Sequence, residues 1–298
     1  MGCAMSGSGS VPGRLADYLS LVKFSHSIFA LPFAWISLLI ATGGRPGLRL
    51  FVLVIVAAVA ARTAAMAFNR WVDLDVDAAN PRTRRRELVT GRVRPRAALF
   101  LTAGASVVFL LSAWAIAPLC LYLSPAVLLV LLGYSYTKRF TWACHLVLGL
   151  ALALAPLGAW IAARGAFDGV LGTPLLLAAA VLTWVAGFDV IYACQDAEFD
   201  RGLGLSSIPA RFGVRRALWI SAVLHVGTVG LLCAVGGVAG LGACWWIGVG
   251  LGAGLLVYEH AIVRPTDLSR VNAAFFTANG LLSLVLALMT AADLWLST

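Results

Sequence analysis

Charge is what this chain of 298 residues has least of: 12% of its residues are Asp, Glu, Lys or Arg, against 61% that are hydrophobic. A soluble domain carries about 25% charged residues, so a soluble globular protein is excluded. The six cysteines (Cys3, Cys120, Cys144, Cys194, Cys233 and Cys244) form no C-x-x-C pair and read as small apolar filler. The four histidines are scattered, and His145 and His225, with no acidic neighbours in sequence, read as packing or lipid-interface residues. Residues 1–13 are rich in Gly and Ser and read as a disordered tail. Carboxylates number only 13, which makes their placement informative.

The apolar runs set the class. A spanning helix needs roughly 20 mostly apolar residues, and nine candidates fit: 18–41, 50–70, 97–117, 119–137, 142–163, 174–196, 216–236, 240–263 and 271–296. The expected architecture is all-α, one membrane domain over residues 14–298. The net charge of +9 does not point to nucleic acid, because its arginines and lysines concentrate in alternate connections. Seven arginines lie in 71–96, Lys138 and Arg139 in 138–141, and Arg201, Arg211 and Arg215 in 197–215, whereas the opposite loops hold Arg45, Arg49 and Arg164. The positive-inside rule then puts the N-terminus in the cytoplasm and the C-terminus outside. The chain is expected in the cytoplasmic membrane, its partner there the lipid bilayer.

Seven of the 13 carboxylates fall in two short clusters at helix ends: Asn69-x-x-x-Asp73-x-Asp75-x-Asp77 and Asp189-x-x-Tyr192-x-x-x-Asp196-x-Glu198-x-Asp200. Acids near a membrane are costly and usually mark function. Each four-residue step turns about 40° past a full circle, so Asn69, Asp73 and Asp77 share one helix side. Asp189, Tyr192, Asp196 and Asp200 share another, with Asp189 about 10 Å deeper than Asp196. Asp75, Gln195 and Glu198 fall off these stripes. Two facing acid stripes suit Mg2+, which takes oxygen ligands and leaves positions for phosphate oxygens. A diphosphate also needs cations, and Lys138, Arg86 and Arg82 are the candidates; each also fits plain topology enforcement. Such a site would pull a diphosphate from an allylic carbon, with Phe68, Trp71, Tyr134, Tyr136 and Tyr192 as cation–π candidates or members of an interfacial aromatic belt, the belt being the better account of Trp71. The loops after the clusters, 80–92 and 202–213, run longer than plain connectors and read as lids or binding loops, or as interfacial helices.

These residues resemble the UbiA superfamily of intramembrane aromatic prenyltransferases over nearly the whole chain. The family's N-x-x-x-D-x-x-x-D motif is met by Asn69, Asp73 and Asp77, its D-x-x-x-D by Asp196 and Asp200, and its Y-x-x-x-K by Tyr134 and Lys138. The resemblance implies nine helices around a central cavity open to the cytoplasm, where Mg2+, a polyprenyl diphosphate and an acceptor meet. Residues 23–32 and 65–70 look like the branch of quinone biosynthesis. Asn80-Pro81-Arg82-Thr83 with Arg86-Glu87-Leu88 is most similar to its menaquinone members of the futalosine pathway. The implied acceptor is an aromatic carboxylic acid, 1,4-dihydroxy-6-naphthoate or 4-hydroxybenzoate. Arg70 departs from the pattern, because many members carry a second acid there.

A carboxylate acceptor asks for a buried cation. Arg62, seven residues before Asn69, is placed to pair it; holding Asp189 or capping a neighbouring helix are its other readings. Lys23 and His26 border the expected acceptor pocket or sit at the interface. Asp189 is the candidate to orient the acceptor hydroxyl or take its ring proton, and Glu259, His260 and Arg264 are candidates to close the site. The rival readings are another acceptor (heme, a chlorophyll precursor, a phosphoribose) and a cation-coupled secondary transporter.

Overall fold

Proline and glycine punctuate the helices. Pro95, Pro118 and Pro209 each stand in a first helical turn, where the missing N–H has no intrahelical partner anyway. Gly165 (φ +70°) and Gly240 (φ +64°) end two long helices in the left-handed region that glycine enters without a Cβ penalty. The computed structural model describes residues 11–22, 31–166 and 171–296. Among these the architecture is all-helical, apart from one isolated bridge between Arg264 and Asp267. In chain order the helices are α1 (Val11–Leu21), α2 (Leu31–Ala41), α3 (Leu48–Val72), α4 (Leu74–Ala79), α5 (Pro95–Ile116), α6 (Pro118–Thr137) and α7 (Cys144–Arg164). There follow α8 (Gly172–Ala193), α9 (Ala197–Gly202), α10 (Ile208–Phe212), α11 (Val214–Ala239), α12 (Ala243–Ile262), α13 (Val271–Ala273) and α14 (Asn279–Leu296).

Seven of the described helical segments are long and apolar enough to cross a membrane: α3, α5, α6, α7, Gly172–Gly202, α11 and Val271–Leu296. Of the expected first span, residues 23–30 lie outside the described residues, and α2 is an 11-residue apolar helix. The expected eighth span is α12, 20 residues whose glycines, tryptophans and Glu259-His260 pair dilute its apolarity. Residues 1–10 of the expected tail also lie outside the described residues, and α1 starts at Val11.

Helix α8 is the axis. Of its apolar window 61% is buried, against 22% for α3. Trp184, Val181, Leu177 and Phe188 pack there with Phe33 of α2 and Trp245 of α12 in the main core. Glycine lets its neighbours close on it. A Cβ on Gly149 of α7 would lie 2.4 Å from the Leu182 carbonyl oxygen of α8, and one on Gly187 of α8 would lie 2.4 Å from the His225 ring of α11.

The 80–94 connection is a folded turn structure, not an interfacial helix. Thr83, Glu87, Leu88 and Val93 are buried, and Leu88 and Val93 pack with Leu21 of α1 and Ala98 of α5. Its polar edge is tied to α1: the Ser20 hydroxyl donates to Glu87, and Arg92 pairs with Asp17 at 2.9 Å and Glu87 at 3.7 Å. Burial pushes the Glu87 carboxyl up, but the Ser20 hydrogen bond and the charges of Arg70 and Arg92 outweigh it and hold the group below its ordinary value. A depressed carboxyl stabilises the fold above its unfolded pKa and loses that contribution as pH falls through the folded value.

Two measurements check this packing. Gly149→Ala should cost about 1–3 kcal/mol, seen as a lower thermal midpoint in detergent. Gly158→Ala, whose Cβ would meet nothing within 4 Å, should not lower it. Acidification through the carboxylate range should lower the protection of amides in the 80–94 turns, measured against their intrinsic exchange rates at each pH, and Glu87→Gln should remove that loss.

Candidate active site

Both acid clusters sit where a membrane helix is interrupted. Asp73 separates α3 from α4 with φ −93° and ψ 9°, and Asp196 precedes α9 with φ −105° and ψ 5°. Both lie in the sparsely allowed bridge region, where active-site residues are common. The continuous stripe expected from Asp189 to Asp200 is therefore corrected: a 3-10 turn at Cys194–Asp196 overwinds it. At the first cluster the hydrogen bonds run through the break. The Asp73 amide donates to the Asn69 carbonyl at 3.0 Å and the Asp77 amide to the Asp73 carbonyl at 2.7 Å. Asn69, Asp73 and Asp77 thus stay aligned.

Each inner acid is held by a cation. Lys138, at the end of α6, reaches Asp73 Oδ2 at 2.8 Å, and the Asn69 amide donates to the same oxygen at 3.2 Å. Arg86 Nη1 donates to both oxygens of Asp77 at 2.6 Å. Arg82 crosses from the first loop to the second cluster. Its Nε meets Asp196 Oδ1 at 2.9 Å, its Nη2 pairs with Oδ2, and its Nη1 donates to the Tyr192 hydroxyl at 2.8 Å. The Asn80 amide donates to the same carboxylate at 3.0 Å. Burial lowers the Arg82 pKa, but these bonds more than reverse that, and the net shift is upward. Asp200 accepts from Ser207 at 3.0 Å, and the Ser207 oxygen also caps α10 by accepting from the Ala210 amide. Asp75 and Glu198 are exposed.

Deeper, Asp189 accepts from His145 Nδ1 at 2.7 Å, and His145 Nε2 accepts the Ile208 amide at 3.3 Å. With Nε2 occupied as an acceptor, the ring proton sits on Nδ1 and points at Asp189. Asp189 is therefore partnered by His145, not Arg62, and the reading of His145 as mere packing is corrected. No pattern in sequence linked residues 44 apart, so only tertiary structure could reveal the pair. Arg62 is half-buried, and its Nε is buried without a partner.

These side chains line two joined cavities. The smaller, about 240 Å³, is polar and is lined by Asn69, Asp73, Asp77, Asp189, Asp196 and Asp200, with Arg70, Arg82, Arg86, Lys138, Tyr134 and Tyr192. The larger, about 680 Å³, is walled by alanine, leucine and valine from α3, α5, α6 and α7. Arg62 lines only the larger one, and Asn69, Arg70, Arg86, Tyr134, Leu148, Asp189 and Tyr192 line both. Phe188 and Phe275, which the sequence reading missed, also wall the larger cavity. Of the expected cation–π residues, Tyr134 and Tyr192 reach a cavity. Phe68, Trp71 and Tyr136 form an outer aromatic group, with Phe68 5.8 Å from Trp71 and 6.0 Å from Tyr136. Glu259, His260 and Arg264 line neither cavity; Glu259 accepts from Asn279 at 2.9 Å, and His260 meets His225 at 2.9 Å. Lys23 and His26 lie outside the described residues.

The donor set fits Mg2+ in one particular way. Among the described residues no group of three or more His, Cys, Asp or Glu can hold a metal by itself. Mg2+ habitually takes one or two carboxylates and completes its shell with water and phosphate oxygens. The polar cavity has five carboxylates against four permanent cations. A polyanionic diphosphate therefore needs added divalent charge to enter.

The chain is similar to known proteins. The UbiA prenyltransferase family matches residues 30–281. A 4-hydroxybenzoate octaprenyltransferase of Aromatoleum aromaticum is 31% identical over 281 residues, covering 92% of this chain and 93% of the relative. The apo structure of a UbiA homolog from Aeropyrum pernix superposes with a TM-score of 0.79 at 35% identity, covering 91% of this chain and 98% of that one. A UbiA homolog from Archaeoglobus fulgidus bound to DMAPP and Mg2+ shares the fold at TM-score 0.70 and 21% identity, over 94% of this chain and 99% of that one.

Hydrogen bonds to charged groups contribute about 1.5–3 kcal/mol, and Arg82 is partly exposed, so the lower end applies. Arg82→Met should therefore speed amide exchange in the 80–86 turn by about tenfold, leaving exchange in α8 unchanged.

Proposed function

This chain belongs to the UbiA prenyltransferase family and is an integral membrane prenyltransferase, and we propose that it moves a polyprenyl group from polyprenyl diphosphate to an aromatic carboxylic acid in quinone biosynthesis. Family membership replaces the transporter reading. The observation that carries the proposal is the joining of a charged cavity to an apolar one across shared residues. One half accepts a diphosphate and the other a hydrocarbon tail, so the bond between them falls at the junction.

Asp73, Asp77, Asp196 and Asp200, with Asn69, would hold Mg2+, which stabilises charge on the departing oxygens. Lys138, Arg86 and Arg82 turn from their carboxylates to phosphate oxygens as the diphosphate enters. Tyr134 and Tyr192 face the allylic cation at the junction, where their rings favour positive charge. Arg62 pairs the acceptor carboxylate. Asp189, oriented by His145, holds the acceptor hydroxyl or takes the ring proton. Similarity to the Aromatoleum 4-hydroxybenzoate octaprenyltransferase supports 4-hydroxybenzoate, and the Asn80–Thr83 and Arg86–Leu88 segments support 1,4-dihydroxy-6-naphthoate. We place the site on the cytoplasmic face of a nine-span bundle in the cytoplasmic membrane, with the N-terminus inside.

Purified protein given both aromatic acids, one polyprenyl diphosphate and Mg2+ should yield one prenylated acid by mass spectrometry. A pyrophosphate release rate that neither aromatic acid raises, with no prenylated acid formed, would contradict the acceptor class. Asp73→Ala and Asp196→Ala should each lower kcat at least about a hundredfold, since metal assistance supplies several kcal/mol. Arg62→Leu should raise the acceptor KM and leave the prenyl diphosphate KM unchanged; an unchanged acceptor KM removes it from that role.

A further inference from the structure

We infer that Arg70 is the leaving-group cation of this enzyme: a fixed guanidinium at the cavity junction that binds the bridging oxygen of the prenyl diphosphate as the carbon–oxygen bond breaks. The inference rests on the proposed diphosphate site and assigns a residue outside its acid motifs. Arg70 is only 5% exposed, and its Nε is buried with no hydrogen-bond partner. A buried donor without a partner is expensive to keep, so this Nε is placed for an acceptor that comes from outside the chain.

Its position says which anion. The other cations lining the polar cavity are already engaged: Lys138 with Asp73, Arg86 with Asp77, Arg82 with Asp196. The nearest acids that act on Arg70, Asp77 and Glu87, are hydrogen-bonded to Arg86 and to Ser20. Arg70 also lines both cavities, whereas Lys138 and Arg82 line only the polar one. The terminal phosphate lies among the acids and their cations. The bridging oxygen lies at the junction, within the reach of Arg70.

The step balances without another reagent. The allylic C–O bond breaks with its electron pair moving to the bridging oxygen, and Arg70 donates a hydrogen bond to that oxygen as its charge grows. The ring π-electrons of the acceptor then form the C–C bond, and the ring carbon loses its proton. A donor aimed at developing charge acts on the transition state more than on bound substrate.

The test separates those two. Full-length enzyme in nanodiscs is compared with Arg70→Met and Arg70→Lys for pyrophosphate release and for binding of an unreactive prenyl thiolodiphosphate with Mg2+. Pyrophosphate release without acceptor reports ionisation alone, so the result stands even if the acceptor assignment fails. Arg70→Met should lower kcat about a hundredfold and weaken analogue binding less than about threefold, with Arg70→Lys intermediate in kcat. If the Met variant does not fold, the Lys variant carries the same comparison. Equal losses in kcat and binding would make Arg70 a plain anchor, and an unchanged kcat would remove it from the reaction; either overturns the inference.

Discussion

The bond that everything else leans on is the clasp of Arg82 and Asn80 on Asp196. It joins a loop from the first third of the chain to a helix break in the middle third, 114 residues from Arg82. Without it the two acid clusters would be separate features of separate helices. With it, the turn structure of 80–94 becomes a wall of the polar cavity, and its Arg86 falls on Asp77. The clasp is in turn braced from below. The glycines at 149 and 187 let α7 and α11 close on α8, which keeps His145 on Asp189 and fixes the depth of the second cluster.

The charge arrangement explains how one site can be stable before substrate and reactive with it. Carboxylates crowded in a low-dielectric pocket repel one another. Here Lys138, Arg86 and Arg82 neutralise three of them directly. In the proposed reaction those same cations take phosphate oxygens, so an incoming diphosphate would exchange partners with the acids instead of meeting bare negative charge. The apolar cavity beneath would exclude water from the carbon that becomes cationic in the proposed reaction.

Much of this was legible in the sequence for a physical reason. Membrane helices must be long and apolar, so the long apolar runs stand out, and polar residues inside them are few. The acids at 73, 77, 196 and 200 therefore marked the candidate site by their scarcity, and helical spacing set Asp75 and Glu198 apart from the polar cavity that the four line. Spacing failed where the chain stops being an ideal helix. The 3-10 turn at Cys194–Asp196 changes the phase between Asp189 and Asp196. It failed again where partners are distant in sequence: His145 with Asp189 (44 residues), and Asn279 with Glu259 (20 residues). Phe188 and Phe275 look like any other core aromatic until the cavity they wall is seen.

The central claim is that Asp73 and Asp196 work in one cavity on one shared ligand. A double-mutant cycle on Mn2+ binding, read by electron paramagnetic resonance with a prenyl thiolodiphosphate present, tests it most directly. Shared ligation predicts that the second alanine substitution costs far less than the first, a coupling of about 1 kcal/mol or more. Additive losses from Asp73→Ala and Asp196→Ala would show two independent sites and contradict the account.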